Sequence, residues 1–160
     1  MGHYKIFQVS KTPLLKSEYI GPSDFYDYHG FIDVIADWVK YVEPKDEEDI
    51  IFRKFVRNGI EYDPDKRCFK ITDKDALLSE YYDLFVNVLR RLSEYPKDKF
   101  INHDYDMDTD VLRVDDYYHN RYSDYIYDED DLDLIPFVDF IRYHNVGDVF
   151  YIGGIVDYHQ

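Results

Sequence analysis

Apolar and polar positions alternate from Tyr4 to Val9 closely enough to predict a strand, and Thr12-Pro13 and Gly21-Pro22 punctuate the chain beyond it. The period then lengthens. Ser23 is a candidate N-cap. After it, Phe25, Tyr28, Ile32, Ile35, Val39 and Val42 recur three and four apart, with Asp24, Asp27, Asp37 and Lys40 on other faces, which predicts an amphipathic helix. A second helix is expected where Asp46-Glu47-Glu48-Asp49 precede Ile50-Ile51-Phe52. Arg53, Lys54 and Arg57 come next, before Asn58-Gly59, so acids stand at the positive end of the dipole, bases at the negative end, and glycine at the stop.

Ile60-Glu61-Tyr62 and Cys68-Phe69-Lys70-Ile71 flank the turn-rich stretch Asp63-Pro64-Asp65-Lys66-Arg67, the pattern of a β-hairpin. Thr72 or Asp73 then caps a long helix whose stripe is Leu78, Tyr81, Phe85, Val88 and Leu92, ending before Pro96. Pro136 suits the first turn of a short helix through Phe137, Val138 and Ile141. Asp148 to Ile152 and Ile155 to Tyr158 read as strand around Gly153-Gly154, where a bulge is the ordinary expectation. Together these elements predict an α+β fold, a small, partly antiparallel sheet packed by two long amphipathic helices, formed as a single domain over residues 1–160.

Charge changes the picture most in the last third. Residues 1–102 carry 19 acids and 16 bases, a balance of −3, whereas residues 103–160 carry 15 acids and 3 bases, a balance of −12. The densest stretch, about 104–133, holds twelve acids, two arginines and six tyrosines. With 18 Tyr and 11 Phe in 160 residues, the chain is too aromatic for an acidic disordered tail and is expected to fold.

Other chemistry is sparse. Cys68 is the only cysteine, which fits a reducing, cytoplasmic compartment, and its place in a strand suits an inert core thiol better than a nucleophile. No stretch approaches the apolar length of a membrane span, and Met1 to Ser10 lacks a signal-peptide core. The six histidines show no ligand spacing, and no glycine-rich phosphate loop occurs. From Asp104 to Asp115, acids fall at positions 1, 3, 5, 7 and 12 of a calcium-loop pattern. Thr109 replaces the glycine of the turn, however, and Asp115 the longer Glu, so neither a metal nor a cofactor is expected. Few bases in the last third leave little to bind nucleic acid directly, because that affinity rests on Lys and Arg displacing counterions.

The remaining reading is a surface for a basic partner. If Asp104, Asp106, Asp108 and Asp110 lie on an extended segment, they form a line of charge on one face. Asp115, Asp116, Asp124, Asp128, Glu129, Asp130, Asp131 and Asp133 extend it, and Tyr117, Tyr118, Tyr122, Tyr125 and Tyr127 supply rigid contact area able to stack on arginine. In composition, with no aligned motif, the chain resembles the acidic DNA-mimic inhibitors that phages and mobile elements direct against restriction or CRISPR nucleases. That resemblance implies an anti-defence inhibitor, not an enzyme, occupying the nucleic-acid site of a basic protein. Other acidic binding proteins, such as a toxin-neutralising immunity protein or a regulatory subunit, fit the same charge, and a metal-dependent enzyme is the third class. On this reading, changing Asp104, Asp106, Asp108 and Asp110 to Asn leaves stability equal or higher.

Overall fold

The computed structural model describes residues 2–26 and 31–160. In chain order the elements are β1 (His3–Ser10), 3₁₀ turns at Lys16–Glu18 and Pro22–Phe25, α1 (Phe31–Val34), β2 (Trp38–Tyr41), α2 (Glu47–Phe55), β3 (Ile60–Asp63) and β4 (Cys68–Ile71). The second half continues with α3 (Lys74–Glu94), α4 (Lys97–Ile101), α5 (Tyr105–His119), β5 (Tyr125–Asp128), β6 (Asp133–Pro136), α6 (Phe137–Tyr143) and β7 (Val149–His159).

The fold is α+β, but its sheet is larger than expected. It has seven strands, in the order β3-β4-β7-β1-β5-β6 with β2 also paired to β7. Its spine is β7, whose eleven residues pair antiparallel with β1, β2 and β4. β1 and β5 run parallel, and the β3–β4 and β5–β6 hairpins form the two ends. The expected bulge is present. Phe7 faces Ile155 while Val9 faces Ile152, so β7 spends one more residue than β1 between these pairs, at Gly153-Gly154. Buried Gln8 fills the distortion. Its Oε1 accepts from the Gly154 and Ile20 backbone N–H groups at 2.9 and 3.0 Å, and its Nε2 donates to the Glu18 carbonyl and to Glu129 Oε2, both at 2.9 Å. Every polar position of the buried amide is thereby used.

Two apolar clusters flank this frame. The larger joins Phe7, Phe55, Phe69, Phe137, Phe140 and Phe150 with Leu77 of α3, and Phe55 stacks on Phe69 with ring centres 4.4 Å apart. The smaller gathers Ile6, Phe25, Phe31, Val39, Tyr125 and Tyr158.

The predicted helix through Phe25 to Val42 does not form among the described residues; Asp27 and Tyr28 lie outside them. Pro22–Phe25 is a 3₁₀ turn capped by Asp24 rather than Ser23, the Gly21 N–H donating to Asp24 Oδ2 at 2.7 Å. Helical geometry breaks at Ile32, with ψ 140°, and at Asp33, with φ 78°, and Trp38–Tyr41 pairs with β7. The apolar residues still enter the core, because the Ile35-to-Val39 spacing of four fits either period and the vacant edge of β7 selects strand. α2, the β3–β4 hairpin and α3 match their predicted places, with the Asp73 side chain accepting from the Ala76 N–H at 3.0 Å. No helix among the described residues is long and apolar enough to cross a membrane.

Candidate functional site

Residues 104–110 are not extended. Asp104 caps α5, its Oδ1 accepting from the N–H groups of Asp106 and Met107 at 3.1 and 3.3 Å. The helix then places residues by threes and fours. Met107, Asp110, Val114 and Tyr117 turn inward, and Tyr105, Asp108, Leu112, Asp115 and His119 succeed one another outward. The line of alternate aspartates expected over residues 104–110 is therefore dispersed around a helix.

Asp110 is removed from the surface altogether. It is 2% exposed. Arg91 of α3 forks onto it, Nε to Oδ2 and Nη2 to Oδ1 at 2.6 Å each, while Tyr95 Oη and Arg113 Nη1 donate at 3.0 and 3.2 Å. Hydrogen bonds from Arg91 above all hold its carboxyl well below the usual aspartate range. This knot and the Phe85–Tyr118 contact, ring centres 5.7 Å apart, pair α3 with α5 in antiparallel fashion, and α4 closes the tip of the hairpin. Asp104 is likewise engaged, accepting from Lys99 Nζ at 2.7 Å, a bond that lowers its pKa.

The other candidates divide between interior and surface. Tyr125 is buried, which pushes its hydroxyl up to about 12. Tyr117, Tyr122 and Tyr127 are half-buried and Tyr118 is exposed. Asp116 is half-buried, and desolvation raises its carboxyl. Asp124 accepts from Lys54 Nζ at 2.8 Å and from the Lys5 N–H at 2.9 Å in a cleft of about 620 Å³. The cations lining that cleft are matched by carboxylates: Lys5 with Asp157, Arg53 with Asp49, and Arg57 with Glu80. Glu129 is engaged by Gln8, and Asp130 accepts from the Lys11 N–H at 2.7 Å. Asp106, Asp108, Asp115, Asp131 and Asp133 remain exposed, the first three on α5, Asp131 in the β5–β6 turn and Asp133 at the start of β6.

What residue spacing alone missed is the apolar share of this surface. Phe100 is 75% exposed, Ile101 66%, Tyr105 81% and Leu112 72%. At the hairpin tip, Phe100, Met107 and Val111 line a groove of about 200 Å³ with Lys99, His103 and Asp108. An i, i+3, i+4 template applied to residues 105–119 would have found the outward stripe.

A second cluster was also missed. Asp128, buried at the end of β5, Asp131 in the turn after it and His144 after α6 bring ligand-type atoms within 4.8 Å of one another. Burial raises the Asp128 carboxyl, while the backbone N–H of Asp130, at 3.0 Å from Oδ1, opposes the shift. Cys68 is buried in β4 as expected, and burial pushes its thiol up.

Comparison of the chain with protein-family models, with curated proteins and with solved structures gave no match.

Proposed function

We propose that this protein is a binding module whose α3–α5 hairpin seats on a basic protein surface through the outward face of α5 and the apolar tip. The observation that carries the reading is the interleaving of Tyr105, Asp108, Leu112 and Asp115 on one exposed helical stripe, continued by Phe100 and Ile101. Large apolar side chains supply contact area, and the carboxylates among them select a cationic partner and speed encounter. The partner class that fits is a nucleic-acid-handling protein, whose phosphate-binding site concentrates Lys and Arg; an anti-restriction or anti-CRISPR inhibitor is that kind of module. From Asp108 to Asp115 the helix rises ~10.5 Å, so the carboxylates do not reproduce the ~3.4 Å phosphate interval. Inhibition would therefore come from occupying the basic site, not from matching it charge for charge.

The test is affinity capture from the native cell with three baits: the unaltered protein, Asp106→Lys with Asp108→Lys and Asp115→Lys, and a control reversing exposed Glu43, Glu61 and Asp65. A basic nucleic-acid-binding protein retained by the first and third baits and lost by the second supports the reading. Retention by all three sinks it.

A further inference from the structure

We propose that Asp128, Asp131 and His144 form a binding site for a divalent transition-metal ion, with zinc the best fit, separate from the hairpin surface. His144 Nε2 stands 3.3 Å from Asp128 Oδ2. That is longer than the ~2.7–2.9 Å of a charge-assisted hydrogen bond. It matches the ~3.3 Å edge of a tetrahedron whose centre lies ~2.0–2.1 Å from nitrogen and oxygen ligands. Asp131 brings the third donor within the same 4.8 Å span from the more exposed side, which leaves a fourth position for water.

The surroundings fix both inner ligands in that pose. The His144 ring lies against Phe140 and Phe150, with ring centres 4.3 and 4.7 Å away. Its Nδ1 faces Asp148 Oδ2 at 3.7 Å, and that same oxygen accepts from the Asn145 N–H at 2.8 Å. With an ion on Nε2 the ring proton would sit on Nδ1, on the side of the Asp148 carboxylate; such carboxylate–histidine pairs stand behind metal-bound imidazoles. Asp128 Oδ1 is held by the Asp130 N–H, so Oδ2 is the oxygen turned to the histidine.

The donor set also selects the ion. An imidazole nitrogen disfavours calcium and magnesium, which take oxygen ligands, while two carboxylates and no thiolate disfavour cuprous ion. The three ligands come from the β5–β6 turn and the end of α6, so the ion would clip an edge hairpin of the sheet to the helix beside it.

The test is calorimetric titration of the full chain, dialysed against chelator, with zinc and with calcium, alongside melting curves. One zinc per chain is expected, with a saturable rise in Tm that calcium does not reproduce. Asp131→Asn, an exposed change, should leave the metal-free Tm unaltered and weaken zinc binding. The loss should exceed the roughly tenfold expected of the positioning variant Asp148→Asn. The proposal is overturned if zinc does not bind saturably, if Asp131→Asn binds it as tightly as the unaltered protein, or if calcium gives the same shift.

Discussion

Asp110 carries the clearest consequence at the scale of single residues. Its carboxyl lies below the ordinary aspartate range chiefly because Arg91 donates to it, so the unfolded chain binds more protons than the folded one just below about pH 4. The stability it contributes is complete above that range and is lost as pH falls through it. Among the single variants Asp104→Asn, Asp106→Asn, Asp108→Asn and Asp110→Asn, the last should lower Tm most at pH 7 and show the smallest further loss on acidification to pH 3. Asp106→Asn should be neutral. A Tm for Asp110→Asn within a degree of the unaltered protein would mean that the fork from Arg91 does not hold in solution. Two glycines offer a second contrast. Gly59 and Gly147 have φ of 91° and 96°, and a Cβ would meet the Asp73 carbonyl and Leu77 at Gly59 but nothing within 4 Å at Gly147. Gly147→Ala should cost ~1 kcal/mol from backbone strain alone, and Gly59→Ala measurably more in denaturant titration.

At the scale of elements, the core prediction falls on the aromatic stack under α2. Phe55 is fully buried against Phe69, so Phe55→Ala should cost ~3–5 kcal/mol, while Phe52→Ala, on the exposed side of the same helix, should change little. Equal losses would place the helix in the wrong rotation. Elements with local punctuation were legible in the sequence: Asp73 and Pro96 bound α3, and Asp63-Pro64 marks the β3–β4 turn. Those decided by distant partners were not. Ile35 and Val39 satisfy a helical spacing, yet β7 pulls the segment into a strand. α5 is rich in Asp and Tyr, both modest helix formers, and it is held by the Asp104 cap and by Arg91 across the hairpin. The Asp128, Asp131 and His144 constellation joins the end of β5 and its turn to the residue after α6, and nothing in its spacing announces it.

At the scale of the molecule, the net charge of −15 is real, but much of the acidic stretch is engaged inside the fold. Asp110 holds the hairpin, Asp128 faces His144, and Asp124 pairs with Lys54. Reversing Asp128 would therefore disturb packing as well as charge, whereas Asp106, Asp108 and Asp115 can be reversed at the surface. Charge-steered association predicts an on-rate that falls about tenfold or more as salt rises from about 50 to about 500 mM, with the apolar contacts keeping the off-rate steadier. Leu112→Ala should act oppositely, raising the off-rate and leaving the salt slope unchanged. The most direct measurement is displacement of labelled duplex DNA from the captured basic partner by the unaltered protein and by the Asp106→Lys, Asp108→Lys, Asp115→Lys variant. The account predicts that the unaltered protein displaces the DNA and the variant does not. Equal displacement by both, or binding of the protein and DNA to the partner together, would contradict it.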